Sequence, residues 1–201
     1  MGGHVKSFLP RFRYGMIHPR SHEDRARGAG YQFYRLVPLD VMEFSAVLGI
    51  TNYTLEAVEK ALGNYWKCVE TLAHEKAQVI ILGGAPVSAA LGRKRVVDLL
   101  RQTTEKTGIP TDAPLEALIA SMKHLGLTKL AVGSRWADPV NDSLVRYLAD
   151  GGIDVVGITK RNQWGAESAA MSLEEGLNMA LDVGREAARS FPEAEAISVP
   201  G

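Results

Sequence analysis

Two histidines and an arginine lie within the segment His18–Asp24, which reads HPRSHED. An imidazole such as that of His22 takes up and releases protons near neutral pH. The guanidinium of Arg20 can bind a carboxylate through two parallel hydrogen bonds. Although His18 and His22 have helical spacing, Pro19 disfavours the regular helix that would align them on a metal ion. The segment therefore predicts either a substrate-facing loop or a solvated polar loop, and no metal site.

A second segment with chemical potential is GGAPVS, which follows an apolar run and precedes a helical pattern. Backbone N–H groups of such a turn, together with the helix dipole, suit a carboxylate or an oxyanion. The spacing is neither a Walker loop nor GxGxxG, so it does not predict a nucleotide site. An ordinary strand-to-helix turn is the alternative. The residues predicted to line a ligand here are Gly83, Gly84, Ala85, Pro86, Val87 and Ser88.

The segment GSRWADPVN over 133–141 combines a cation, an aromatic ring and an amide. Arg135 can bind an anion, Trp136 can form an aromatic wall, and Asn141 can hydrogen-bond either the loop or a ligand. The alternative is that Asp138 caps a helix while Trp136 only packs.

The chain's one cysteine, Cys68, falls among apolar residues at helical spacing. This position is typical of a core thiol, whereas a nucleophile is expected in a loop at the start of a helix. We therefore predict that Cys68 does no chemistry. The tryptophan Trp164 lies in the connection 160–171, which is either a lid or a surface loop with one packed ring.

These segments are positioned by strands that alternate with helices along the chain, a pattern that favours parallel sheets with right-handed crossovers. The predicted strands are 13–18, 31–37, 77–82, 129–133, 153–159 and 194–199. The predicted helices are about 55–75 after Thr54, 88–108 after a cap at Ser88, 112–126, 138–151 and 172–190. In the last of these, Ser172 and Glu175 match a capping box.

An internal repeat divides the chain into an arm (1–12), a first α/β half (13–110) and a second half (111–201). RYGMIHPRSHED from position 13 is echoed by KLAVGSRWADPVND from position 129, and Gly84 aligns with Gly201. Loops at the carboxyl ends of parallel strands carry the chemistry of α/β folds. We expect one site in a cleft shared by the two halves. Because the chain stops just after an apolar strand, we also expect that a C-terminal segment is missing.

Composition limits the function classes. The 201 residues are 46% hydrophobic and carry 23 Lys+Arg against 23 Asp+Glu, a formal net charge of zero. This balance predicts neither nucleic acid nor a membrane as partner, and a signal peptide is not evident at the N-terminus. We expect a cytoplasmic protein, with a homo-oligomer as its assembly and a small carboxylate as its ligand.

The repeat and three segments resemble the Asp/Glu racemase superfamily, in the branch with maleate cis-trans isomerase and arylmalonate decarboxylase. The segments are VIILGGAPVSAALG, TGIP and LGLTKLAVGSRWADPVNDSLVRYLADGGIDVVG. The resemblance covers about residues 13–201. It implies two α/β halves facing a cleft, no cofactor or metal, and catalysis by a cysteine from one or both halves.

At the family's two cysteine positions this chain has Gly84 and Gly201, and the decarboxylase branch is similar in having glycine at the first. Ala85 and Pro86 match small polar positions that hold a carboxylate, with Ser88 as the nearest hydroxyl. Trp136 matches a tyrosine, and His22 matches an asparagine of the isomerases.

The resemblance therefore implies a lyase or isomerase that forms a carbanion or enediolate without a thiol. In this interpretation the backbone N–H groups at Gly84–Ser88 stabilise negative charge. Arg135 or Arg20 binds the carboxylate, and His22 donates the proton. The alternatives are a non-catalytic carboxylate-binding or regulatory protein, and a hydrolase that uses water with His22 as base.

Overall fold

Strands and helices alternate along the chain, as the sequence predicts. A computed structural model describes residues 10–20, 29–50, 53–163 and 171–200. The strands in these residues are β1 Phe12–His18, β2 Val41–Val47, β3 Val79–Leu82, β4 Thr111–Asp112, β5 Lys129–Ser134, β6 Asp154–Lys160 and β7 Ala196–Ser198. The α-helices are α1 Ala29–Leu36, α2 Leu55–Ala61, α3 Tyr65–His74, α4 Ala85–Leu91, α5 Arg93–Thr107, α6 Pro114–His124, α7 Asp138–Asp150 and α8 Leu173–Ser190. A short 3₁₀ turn, Leu62–Asn64, joins α2 to α3.

Two parallel sheets confirm the predicted fold class. The first sheet has the strand order β2-β1-β3-β4 and the second sheet has the order β6-β5-β7. The arrangement β2-β1-β3 in the first half therefore corresponds to β6-β5-β7 in the second. Helix α4 of the first half packs against α6 and α7, which belong to the second half. Strand β4 pairs with β3 and so adds residues 111–112 to the first sheet, although the repeat assigns them to the second half.

The strand predicted at 31–37 is wrong. Residues 29–36 form helix α1, and the strand beside β1 is β2, which the sequence analysis missed. The ring of Phe33 packs 4.8 Å from that of Tyr14, and the hydroxyl of Tyr34 accepts the amide of Glu43 at 2.9 Å. Aromatic residues favour strands on average, but here these contacts attach a helix to one face of the sheet.

The cap predicted at Ser88 is also wrong. Helix α4 begins at Ala85, directly after Gly84, with Pro86 in its first turn. Proline needs no hydrogen bond for its nitrogen at this position, so the helix starts earlier than the serine suggests. It ends at Gly92, whose φ of +77° separates α4 from α5. Ser88 therefore lies inside a helix and is fully buried.

Two other helix starts match the sequence patterns, and a third differs by one residue. Thr54 accepts the amide of Ala57, and Ser172 forms a complete capping box with Glu175. At α6 the capping position is Ala113 instead of Asp112, whose carboxylate accepts the Ala113 amide at 2.7 Å. None of the described helices is long and apolar enough to cross a membrane.

Candidate functional site

The Gly83–Gly84 turn lies at the carboxyl end of β3 and is held against β1. The Gly83 amide donates to the carbonyl of Ile17 at 2.9 Å, which extends the β1–β3 pairing by one residue. Gly84 has a φ of +91°, and a Cβ added there would lie 2.5 Å from Cγ of Pro19. Backbone conformation and the proline ring therefore both restrict position 84 to glycine.

Fewer amides are open at this turn than the sequence suggests. The amides of Val87 and Ser88 both donate to the Gly84 carbonyl, at 3.0 and 3.2 Å. Within the described structure this leaves the amides of Gly84 and Ala85 without a backbone acceptor. The buried Oγ of Ser88 has no hydrogen-bond partner there either. An anion at the turn would thus meet two amides rather than the predicted longer row.

The segment after β1 continues beside this turn. The Pro19 carbonyl accepts the amides of Gly49 and Ile50 at 3.1 and 2.8 Å, which ties the ends of β1 and β2 together. The guanidinium carbon of Arg20 lies 5.4 Å from the centroid of the Tyr53 ring, a cation–π contact. Arg20 lies two residues after the end of β1, at the carboxyl edge of the first sheet. His22 lies outside the described residues.

A polar cluster on β1 and β2 is a feature that sequence reasoning missed. Nε2 of His18 lies 2.6 Å from Oε1 of Glu43, which also accepts the Ser45 hydroxyl at 2.6 Å. The Tyr14 hydroxyl donates to Oε2 at 2.5 Å. Burial by itself would raise the pKa of Glu43, but the bonds from His18, Ser45 and Tyr14 outweigh it and lower the pKa to about 2. For Tyr14, burial and the neighbouring carboxylate both raise the pKa.

The loop after β5 is fixed by a buried network. The Ser134 hydroxyl donates to Oδ1 of Asn141 at 2.7 Å and accepts the Trp136 amide at 3.0 Å. Nδ2 of Asn141 donates to the Trp136 carbonyl at 2.9 Å. Asn141 therefore uses its amide on the loop, and Trp136, only 1% exposed, packs in the core. Arg135 lies between Ser134 and Trp136 in the chain and is half-buried.

The helices that follow the glycine turn and this loop pack against each other. Helix α4 follows Gly84, α7 follows Trp136, and the two helices are in contact. Gly201 and Trp164 lie outside the described residues. The cleft shared by Gly84 and Gly201 therefore stays a prediction.

Cys68 is remote from both loops in the chain and sits on α3. It is 6% exposed, and its Sγ donates to the Val47 carbonyl at 3.4 Å. Burial raises the pKa of this thiol. These properties are typical of a structural cysteine. Among the described residues, no three histidine, cysteine or acidic side chains are grouped to hold a metal ion.

Comparison with known proteins places this arrangement in a family. The family model described as "Arylmalonate decarboxylase" matches residues 32–200. The chain belongs to the arylmalonate decarboxylase family. The arylmalonate decarboxylase of Bordetella bronchiseptica is 25% identical over 136 residues, which cover 68% of this chain and 56% of that protein. The chain thus spans little more than half the length of this curated relative.

Solved structures of arylmalonate decarboxylase share the fold. A liganded variant of that enzyme, with a glycine changed to cysteine and a cysteine to serine, superposes with a TM-score of 0.78 at 21% identity. The match covers 94% of this chain and 77% of the solved one. The maleate isomerase of Pseudomonas putida, a cysteine-to-alanine variant with maleate, has a TM-score of 0.68 at 19% identity, covering 86% and 71%.

A Nocardia farcinica maleate cis-trans isomerase with a covalently bound succinylcysteine intermediate also has a TM-score of 0.68, at 15% identity, covering 92% and 76%. That enzyme forms a bond through cysteine. In this member of the arylmalonate decarboxylase family the glycine turn carries no thiol, and the chain's single cysteine is the buried Cys68.

Proposed function

We propose that this chain binds a small carboxylate or dicarboxylate and acts on it as a cofactor-independent lyase or isomerase. The proposed reaction passes through a carbanion or enediolate, which forms when a carboxyl group is lost from an acidic carbon. Membership of a family named for a decarboxylase supports this proposal, as does the fold shared with maleate isomerases. Malonates with an aryl substituent and maleate are the substrates to test first.

The observation that carries the proposal is the Gly83–Gly84 turn. Its position at the carboxyl end of a parallel strand is where α/β folds bind ligands. The amides of Gly84 and Ala85 can donate to oxygen atoms that gain negative charge when the carbanion forms. Because Pro19 blocks a side chain at Gly84, the turn is suited to stabilising charge and unsuited to presenting a nucleophile.

Arg135 is the proposed carboxylate-binding cation, with Arg20 as the second candidate. The network of Ser134, Trp136 and Asn141 holds the backbone on both sides of Arg135. A fixed backbone lowers the entropy lost when a flexible guanidinium binds a ligand. We therefore assign Asn141 and Trp136 to positioning this loop, a change from the ligand contacts that the sequence suggested.

Calorimetric titration with mono- and dicarboxylates tests this assignment. Arg135→Lys should weaken binding although it keeps the charge, because lysine cannot form the two-pronged hydrogen bond. Arg135→Ala should lower affinity by about 2–5 kcal/mol, while Cys68→Ser should bind like the parent. If Arg135→Ala binds as well as the parent, Arg135 is structural and Arg20→Ala becomes the variant to measure.

A carboxylate-binding protein without turnover is the second candidate function. The observation that favours it is that glycine stands at both positions matched to the family's cysteines, Gly84 and Gly201, while the chain's one cysteine is buried on α3. Proton NMR of the parent with phenylmalonate and with maleate separates the two functions. Formation of phenylacetate or fumarate supports the enzyme, whereas binding without either product supports the second candidate.

A further inference from the structure

His18 ends β1 at the edge of the first sheet where the glycine turn begins, and its side chain reaches back to Glu43, which pairs in register with Tyr14. His18 is the last residue of β1, and its side chain keeps 21% of its surface exposed. Its Nε2 contacts Oε1 of Glu43 at 2.6 Å, and the Glu43 side chain is only 12% exposed. An imidazole that is reachable from solvent on one side and held by a buried carboxylate on the other has the arrangement of a proton-transfer group.

The bonds to Glu43 decide which nitrogen of His18 exchanges protons. Tyr14 and Ser45 donate to the carboxylate, so its oxygens act as acceptors and Nε2 of His18 carries a hydrogen. Neutral His18 is then the Nε2–H tautomer, with its lone pair on Nδ1. In the described structure Nδ1 has no hydrogen-bond partner. Nδ1 is therefore the atom that gains and loses the proton.

The same distances argue against a serine nucleophile in this cluster. Oγ of Ser45 donates to Glu43 at 2.6 Å but lies 3.5 Å from the imidazole nitrogen, and that nitrogen is the one already bound to the carboxylate. A histidine that activates a serine uses one nitrogen for the serine and the other for the acid. Ser45 therefore supports Glu43 instead of attacking a substrate.

Strand register places His18 beside the proposed anion-binding turn. Ile17 pairs with Leu82, and the Gly83 amide continues this ladder to the Ile17 carbonyl. His18 is thus the neighbour of Gly83 across the two strands. The next residue, Pro19, is the one whose ring closes over Gly84.

We propose that His18 is the proton donor of this site and that Glu43 positions it, an inference that rests on the proposed function. In a decarboxylation, the bond between the α-carbon and the carboxyl group breaks, carbon dioxide leaves, and the electron pair stays on the α-carbon. A C–H bond then forms while the Nδ1–H bond of His18 breaks, and its electron pair stays on Nδ1. Water returns a proton to Nδ1 before the next turnover.

The experiment compares His18→Gln, His22→Gln and His124→Gln in the full chain. His124 is exposed at the end of α6 and provides the matched control. Turnover of phenylmalonate and maleate is followed by NMR, and binding of succinate by calorimetry. His18→Gln should lower kcat by at least about 100-fold and leave the succinate dissociation constant within about twofold, while His124→Gln matches the parent.

Glu43→Gln and Glu43→Asp test the positioning role. Glu43 holds the His18 ring through Nε2, so Glu43→Gln should lower kcat at least about tenfold and leave the succinate dissociation constant within about twofold. Glu43→Asp should restore part of the rate. A purely structural carboxylate would lower the amount of folded protein without changing kcat per folded molecule.

The outcomes separate the two proposals. If the parent turns over and His18→Gln keeps more than half of its kcat, the role of His18 is overturned while the proposed function stands. If only His22→Gln loses turnover, the role of His18 is likewise overturned, the proposed function stands, and His22 is the proton donor. If the parent binds succinate but forms no product from either substrate, the chain is a binding protein and both proposals fail.

Discussion

Glycine at position 84 meets two separate constraints. Its φ of +91° is rarely adopted by residues with a side chain, and a Cβ would meet Pro19 at 2.5 Å and Val87 at 3.0 Å. Gly92, on the far side of the same helix, has a φ of +77° with no atom within 4 Å of an added Cβ. Comparing substitutions at the two glycines therefore separates the cost of backbone strain from the cost of steric exclusion.

We expect Gly84→Ala to lower the free energy of unfolding by about 2 kcal/mol or more, against about 1 kcal/mol for Gly92→Ala. Urea denaturation of the two variants measures the difference. The double variant Pro19→Ala/Gly84→Ala should recover part of the loss because the smaller residue makes room for the methyl group. Equal losses at both glycines would show that Pro19 moves aside without cost.

Glu43 should make stability depend on pH in the acid range. Its folded-state pKa of about 2 lies below the usual value of 4.5, so the unfolded chain binds more protons than the folded one between these values. Stability from Glu43 is therefore complete above about pH 5 and falls as the pH approaches 2. The parent's free energy of unfolding should be lower at pH 3.5 than at pH 6, and this difference should be smaller in Glu43→Gln. The exposed Glu75→Gln should keep the parent's pH dependence.

At the scale of elements, local patterns sufficed where a helix carries its own start and stop signals. Ser172 with Glu175 predicted the first turn of α8, and Gly108 predicted the end of α5. Such signals act within one turn of backbone, so the sequence contains all of the information. The alternating strands and helices then predicted both parallel sheets.

Prediction failed where a distant contact decides the structure. Residues 29–36 form a helix because Phe33 and Tyr34 pack on β1 and β2, which no local pattern encodes. Strand β2 was missed because Glu43 and Ser45 lie on the face opposite Phe44 and Ala46, which pack against the core, and the partners of Glu43, Tyr14 and His18, lie 25 or more residues away. The glycine turn and the Arg135 loop were predicted as site elements from their residue types, whereas the His18–Glu43 pair required the register of β1 with β2.

The capping box of α8 is predicted to stabilise the second half measurably. Ser172 accepts the Glu175 amide at 3.2 Å, and Glu175 accepts the Ser172 amide at 2.7 Å. Ser172→Ala should lower the free energy of unfolding by about 1 kcal/mol. Ser190→Ala, at the other end of the same helix, should change it by less than about 0.5 kcal/mol. Thermal and urea unfolding measure both variants, and equally small effects of the two substitutions would show that the box contributes nothing.

At the scale of the whole molecule, the repeat predicts two similar sheets but not how they are joined. The described contacts between the halves centre on α4, which packs against α6 and α7. Beside it, Arg93 on α5 bonds both oxygens of Glu116 on α6 at 2.9 and 3.0 Å and the carbonyl of Asp150 on α7 at 3.2 Å. One side chain thus links an element of the first half to two of the second.

Arg93→Ala should lower the free energy of unfolding by about 1–2 kcal/mol, because it removes a half-buried, two-pronged ion pair and leaves Glu116 without its cation. Arg101→Ala on the same helix loses only exposed pairs with Asp98 and Glu105 and should destabilise the protein much less than Arg93→Ala does. Because the proposed ligand lies between loops of the two halves, Arg93→Ala should also weaken dicarboxylate binding severalfold. Urea denaturation and calorimetry of the two variants measure both effects. Equal stability and affinity in Arg93→Ala and Arg101→Ala would mean that helix packing alone joins the halves.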